Sequence, residues 1–390
     1  MSKTREGHML WPYALFSLTL GFGWFILAPL VPYLIGRFHT SLTLVLLLIS
    51  LYGYAMIAGA LPAGYWVAKS GPRPALQTAI VLTVIGLGVR ALSTNFSLAL
   101  TGQIIAAVAY PFLIAPIGSV LRLGQVRQLK LGTGMVIGML FLGMALGSFA
   151  GPSMAPSTDL WLAVGVNAVS GIWLWTQLPA TSALNPRALG TTRLVMSWWW
   201  VIGFVVASMS VMLGSVSTSA LIHLRVENAA ALGGLLSGLT FLGSALGAIV
   251  FGWVGENPSS FRQLPRLLGV LTLIFLVLSG LLLTGTLSAS TAGLDSSFLL
   301  FGLFSNGWYA LALESSAERA RSRTNAGIAT AGFSMASNIG VAVIPVLVGP
   351  LVIAAPGLWI GVVAVLALAA ALVPFLVKSS AQSGGTMMSA

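Results

Sequence analysis

Long apolar runs separated by short polar stretches repeat along the whole chain. A bilayer core needs about 20 apolar residues per helix. Runs that meet this lie at 11–35, 42–67, 74–93, 97–121, 131–154, 159–178, 194–221, 229–254, 265–287, 294–313, 326–348 and 356–377. The pattern predicts an all-α membrane protein with twelve transmembrane helices in two pseudo-symmetric six-helix bundles. The longest polar stretch, TSALNPRALGTTR, falls near the middle. It predicts an N-terminal bundle over 1–180, a cytoplasmic linker over 181–193 and a C-terminal bundle over 194–390. The first apolar run is too long for a signal-peptide core and has no small-residue cleavage site, so it reads as a span.

Composition agrees. The 390 residues are 57% hydrophobic and 6% charged, with mean hydropathy +0.98. A soluble domain could not cover that much apolar surface with so few charges. The absence of cysteine excludes disulfides, thiol catalysis and thiolate metal sites. The net charge of +11 is spread over many short loops, which suits topology and anionic headgroups better than nucleic acid.

Of the 18 Lys and Arg residues, all but Arg37, Arg90 and Arg225 fall on the side that carries both chain ends in a twelve-span layout. By the positive-inside rule this predicts cytoplasmic termini in a multi-pass protein of the cell (inner) membrane.

The halves carry paired marks. GTGMVIGMLFLGMALGSFAGP in the fifth run and GFSMASNIGVAVIPVLVGP in the eleventh both end in Gly-Pro. GYWVAKSGPRP, starting at Gly64, has a degenerate echo in GWVGENPSSFRQLPR, starting at Gly252. Such pairs are what two homologous halves leave. At these positions the chain resembles the major facilitator superfamily. That family's loop between helices 2 and 3 reads G-x-x-x-D-(R/K)-x-G-x-(R/K). Gly64, Lys69, Gly71 and Arg73 match it, and Ala68 stands at the acidic position. The echo keeps Gly252 and has Glu256 as the acid, with Asn257 where a base is usual. Gly138, Gly147, Gly151 and Pro152 resemble the family's fifth-helix glycine element, which also reads as close helix packing through small residues. Within the family, Gly102–Val120 is similar to the fourth helix of the feline leukaemia virus subgroup C receptor branch, whose members are linked to choline and related solutes. The basic stretch that follows in that branch is absent.

The resemblance implies a cytoplasmic gate at Gly64, Lys69, Gly71, Arg73, Gly252 and Glu256. In the family the loop acid caps a helix of the opposite half and pairs with an arginine. Ala68 cannot do so. Glu256 can, at the start of the fifth span near Leu131, with Arg319, Arg321 or Arg323 as partners, so a one-sided latch is expected. The resemblance also implies a central cavity lined by helices 1, 2, 4, 5, 7, 8, 10 and 11. Near the midplane of those runs lie Trp24, Tyr54, Tyr110, Asn306, Tyr309 and Asn338, with Ser208, Met212, Thr240 and Trp308 nearby. Asn306 and Tyr309 share a helix face. The first six are the candidate substrate-binding residues. Singly, rings in membrane helices serve packing, and a buried amide needs another helix as partner. As a set they describe an uncharged pocket, suited to a neutral solute or to a quaternary ammonium held over ring faces. A di-anion would need a central Arg or Lys, and the midplane of these runs has none.

The seven carboxylates, Glu6, Asp159, Glu227, Glu256, Asp295, Glu314 and Glu318, fall in tails, loops or helix ends. Proton-coupled carriers bury a carboxylate in the bundle, so a facilitator or exchanger is expected, with Glu314 as the nearest exception. Secondary transport of a small organic solute by alternating access is the leading expectation, for a monomer in the lipid bilayer with no cofactor, no metal and no nucleic-acid partner. Efflux of amphiphilic drugs is the alternative, and a transport-fold receptor is the alternative of another class. No acid–base pair, triad spacing, metal cluster or phosphate loop points to an enzyme.

Overall fold

The computed structural model describes residues 9–28, 30–124, 126–150, 155–178, 198–257, 263–288, 290–318 and 323–376. Among them are fifteen helices and no strand. The apolar runs become helices because a backbone in hydrocarbon must satisfy its own hydrogen bonds. The first span is divided into α1 (Leu10–Phe25) and α2 (Val31–Phe38), with Pro32 in the first turn of α2. The second and third spans are α3 (Leu42–Ser70) and α4 (Pro72–Ala91). The fourth is α5 (Phe96–Ile114) followed by α6 (Ile117–Leu123), and Pro111 and Pro116 account for the interruption. Then come α7 (Leu129–Ala150) and α8 (Pro156–Gln177). The second half has α9 (Trp199–His223), α10 (Ala229–Val254), α11 (Leu264–Leu283), α12 (Thr291–Glu318) and α13 (Arg323–Val348). A short α14 (Leu351–Ala354) precedes α15 (Pro356–Leu376). Eight of these helices are each long and apolar enough to cross a bilayer, and nine with α9 taken as one bent span. The broken or more polar α1–α2, α8 and α13 complete the twelve. Where α3 and α5 begin, Ser41 Oγ accepts from Leu44 N and Asn95 Oδ1 from Leu98 N, so both helices start with side-chain caps.

Contacts repeat between the halves. Within the first, α1 packs on α7 and α8, α3 on α5, and α4 on α5 and α8. Six spans later, α9 packs on α13 and α15, α10 on α12, and α11 on α12 and α15. The halves meet along two symmetry-related seams, α7 against α10 and α3 against α13. The α1–α7 packing is backbone to backbone: a Cβ on Gly21 would overlap the Leu140 carbonyl, and one on Gly147 would lie 2.8 Å from Ile26 N.

Two boundaries differ from the sequence expectation. The basic loop is mostly helix, since α3 runs to Ser70 and only Gly71 separates it from α4. Gly71 has φ +82°, a conformation that glycine adopts at little cost. Arg90, counted from the sequence with the charges of the opposite side at the end of the third run, does not face solvent there. It lies in the last turn of α4, buried at 2% exposure, and its side chain turns into the bundle. The end of the molecule holding the α3–α4 junction also carries Lys69, Arg73, Arg122 and Lys130, and is called the basic end.

Candidate functional site: a ring cluster between the halves

Trp24 of α1 is the centre of the cluster. Its ring stacks on Tyr52 of α3, with centroids 4.4 Å apart and planes 10° apart, and lies 5.2 Å from Tyr110 of α5. Its Nε1 donates to Ile49 O at 2.8 Å, which fixes the indole. Tyr309 on α12 of the second half is within electrostatic reach of Tyr110. Tyr309 hydrogen-bonds Ser337 and meets the Phe333 ring edge-on at 5.0 Å. A second chain of rings joins the halves through Phe25 and Phe241, 4.6 Å apart, and Phe141 beyond. Tyr13, at the other side of α1, donates its hydroxyl to the Leu113 carbonyl.

Other candidates are placed elsewhere. Tyr54 is 44% exposed on the outer surface. Two residues turn a helix by about 200°, so Tyr52 takes the inward position and Tyr54 the outward one. Asn306 Nδ2 donates to Ser244 Oγ at 2.7 Å and to Ser210 Oγ at 3.3 Å, tying α12 to α10 and α9. It is an interhelical tie within the second half, one turn before Tyr309 on the same helix. Asn338 Nδ2 donates to Ser334 O at 2.8 Å, and its Oδ1 faces Gly53 where α13 crosses α3. Trp308 packs on Gly269 of α11, away from the cluster.

Arg90, near the end of α4, is a buried cation of the first half. Its Nη1 donates to Gly23 O at 2.9 Å and to Gln103 Oε1 at 2.7 Å, and Gln103 Nε2 donates in turn to Leu48 O at 2.9 Å. Close helix approach makes this possible. A Cβ on Gly102 would lie 2.5 Å from Arg90 N, and one on Gly86 would overlap Ala106 N. A small cavity of about 10 Å³, enough for one water-sized group, borders Arg90, Ser93, Leu27 and Leu160.

The contact at the basic end is built from α7 and α10. Glu256 Oε1 accepts from Lys130 N at 2.6 Å and from Leu131 N at 3.0 Å. A carboxylate there neutralises orphan N–H groups and the positive end of the α7 dipole. Lys130 Nζ reaches Gly255 O at 3.3 Å. A Cβ on Gly252 would lie 2.9 Å from Lys130 O, and one on Gly138 would lie 2.8 Å from Ala245 O. Thr133 Oγ1 donates to Glu314 Oε2 at 3.1 Å, a buried contact from α7 to α12. Toward the opposite end Gly238 accommodates the Phe149 ring. Gly64 is buried, Lys69 exposed, Arg73 half-buried and Ala68 buried in the α3–α4 corner. Gly151, Pro152, Arg319 and Arg321 lie outside the described residues.

The family model described as Major Facilitator Superfamily matches residues 13–331. The chain belongs to the major facilitator superfamily. It is similar in structure to the human organic anion transporter MFSD10, with TM-score 0.73 and 14% identity, over 94% of this chain and 98% of that one. It is also similar to FucP, a major facilitator superfamily transporter in its outward conformation, with TM-score 0.65 and 15% identity, over 94% and 99%. None of the curated protein sequences matches. As a member of this superfamily the chain is a secondary transporter of a small-molecule substrate within a membrane, not an enzyme.

In this superfamily member, sequence reasoning missed Tyr52 and Arg90. Tyr52 had a signal: with Met56, Ala60, Ala63 and Val67 it forms a fully buried stripe at three- and four-residue spacing. Arg90 had a weaker one, a charge at the end of a run whose neighbouring glycines, Gly86 and Gly102, permit close packing.

Proposed function

We propose that the protein moves a small organic solute with a flat or apolar body by alternating access between two halves, 1–180 and 194–390, joined by 181–193. The observation that carries this reading is the packing of Trp24, Tyr52 and Tyr110 from three helices of the first half, beside the Phe25–Phe241 ring contact that joins the two halves. Rings offer large contact area with little side-chain entropy to lose, and a site shared between halves changes whenever they move. Gly64, Lys69, Gly71, Arg73, Gly252 and Glu256 serve the gate at the basic end, which faces the cytoplasm together with both termini. With Arg90 withdrawn into the bundle, Arg37 and Arg225 alone are left on the other side, which sharpens the charge asymmetry.

Facilitated or exchange transport fits better than proton-driven transport. The described carboxylates with hydrogen bonds between the halves, Glu256 and Glu314, are at the basic-end contact and not among the rings. The test is counterflow in proteoliposomes with neutral, cationic and anionic aromatic solutes, alongside an imposed proton gradient. Solute exchange without a gradient is expected. Uphill uptake driven by the gradient and abolished by an uncoupler would overturn this and direct attention to Glu314.

A further inference from the structure

The fourth span is broken where its counterpart six spans later is not. Ala115 and Pro116 divide it into α5 and α6, whereas α12 runs unbroken for 28 residues from Thr291 to Glu318. Pro116 has no N–H, so the helix loses the bond that would end at Phe112 O, and Pro111 already weakens the last turns of α5 in the same way. In an unbroken helix Leu113 O would accept from Ile117 N. Here it accepts from the hydroxyl of Tyr13, a fully buried side chain of α1. A backbone carbonyl left unpaired inside a membrane protein is costly, so the Tyr13 hydrogen bond holds the break in this geometry.

The break is gripped by the α3–α4 corner. The Pro111 ring sits on Gly59 of α3, where a Cβ would lie 2.7 Å from its Cγ. Ala115, with Phe112 against it, forms an apolar cluster with Ala63 and Val67 of α3 and Ala75 of α4, separate from the main core. Beyond the break, α6 lays Leu121 on α7, where a Cβ on Gly132 would lie 2.9 Å from Leu121 Cδ2. It also packs on α13 of the second half. Its Ile117, Val120 and Leu121 are buried. At seven residues α6 is too short to be stable by its own backbone bonds, so these contacts hold it. The basic end is thus closed differently on its two sides. On the α7–α10 seam the Glu256 carboxylate caps α7. On the symmetry-related α3–α13 seam the matching position is Ala68, a buried methyl that offers α13 no charge, and α6 lies there instead.

We infer that α6 is a separate flap of the basic-end gate, hinged at 111–116 and latched by Tyr13, which closes the α3–α13 seam by apolar packing. One seam opens by giving up a carboxylate cap, the other by swinging a short helix. This rests on the gate proposed above for the basic end, and adds to it an element that moves without parting the halves. Tyr13 stands about three turns before Trp24 on the same helix, so α1 links the latch to the ring cluster.

The experiment uses the full-length protein in proteoliposomes, with no solute added. The chain has no native cysteine, so single reporters can be placed freely. Leu121→Cys reports the flap, and Ala248→Cys, buried in the α7–α10 seam, reports parting of the halves. Both are alkylated with N-ethylmaleimide. Leu121→Cys should react about 10-fold or more faster, since opening a small element costs less than opening the whole. Tyr13→Phe keeps the ring and removes the latch. It should speed Leu121→Cys about 2- to 10-fold, the worth of one hydrogen bond, and leave Ala248→Cys unchanged. Pro116→Ala returns an N–H to the break and should slow Leu121→Cys. Hydrogen exchange of the amides of 117–123 reads the same opening without a cysteine, and Tyr13→Phe should speed it there and not in α7. Equal rates at the two reporters, or equal acceleration of both by Tyr13→Phe, would show the halves parting as units and overturn the inference. So would a Tyr13→Phe variant that leaves α6 unchanged by both readouts, or a Pro116→Ala variant that does not slow Leu121→Cys. The Glu256 contact fails separately: it falls as a gate if Glu256→Gln leaves Ala248→Cys at the wild-type rate.

Discussion

Trp24 and Tyr54 show how much a single position decides. Both are aromatic residues near the middle of lining helices, yet Trp24 is stacked between Tyr52 and Tyr110 and Tyr54 faces outward. Trp24→Ala should weaken the apparent affinity for the solute about 2- to 10-fold, the worth of a ring contact of roughly 0.5–1.5 kcal/mol. Tyr54→Ala should leave it unchanged. Concentration dependence of counterflow measures both, and a larger effect at Tyr54 would contradict the orientation of α3. At the basic end, Glu256 accepts two backbone N–H groups of α7. Glu256→Gln keeps the shape and removes the charge, which should cost the closed contact about 0.5–1 kcal/mol. Alkylation of a cysteine at Ala248, buried in the α7–α10 seam, should then speed up by roughly 2- to 5-fold. The acid and the helix start it caps were legible in the sequence, because a cap requires only a carboxylate and an N-terminus at the same end. The inward turn of Arg90 was not, since a terminal arginine reads as solvated until Gly86 and Gly102 are seen to bring α4 and α5 into backbone contact.

Between elements, glycine and amides do different work. The α7–α10 seam depends on absent side chains: a Cβ on Gly134 would overlap the Ala248 carbonyl, while one on Gly88 of α4 would meet nothing within 4 Å. Gly134→Val should therefore lower the thermal midpoint of the purified protein, by an overpacking cost of about 1–3 kcal/mol, and raise solvent access at the basic end. Gly88→Ala should be neutral or slightly stabilising through helix propensity. Similar midpoints for the two variants would mean that the seam yields freely. Asn306 ties three helices of the second half. Asn306→Ala should cost about 0.6–1.7 kcal/mol, the range measured for hydrogen bonds between membrane helices, with no loss of solute affinity. Its i, i+3 relation to Tyr309 placed it near the site in the sequence. The hydroxyls Ser210 and Ser244 on neighbouring helices engage its amide, and no spacing within α12 reports what another helix offers.

For the molecule as a whole, twelve spans put residues 70 and 157 on opposite sides of the membrane. With no native cysteine, single cysteines at Ser70 and Ser157 report this cleanly. An impermeant thiol reagent added outside intact cells should label Ser157→Cys and not Ser70→Cys until the membrane is opened. Labelling of both from one side would break the layout.

The sequence alone determined the membrane class, the number of spans, the division into similar halves and the family, because each depends on hydropathy and small-residue marks that every segment carries by itself. Tertiary structure alone decided which face of each helix looks inward. Rotation about a helix axis has no strong signature in spans that are apolar all round, and it is set by which neighbours interlock. That rotation put Tyr52 where Tyr54 was expected and made Asn306 a tie. It also carried a guanidinium into an interior whose sequence had promised only rings, hydroxyls and amides.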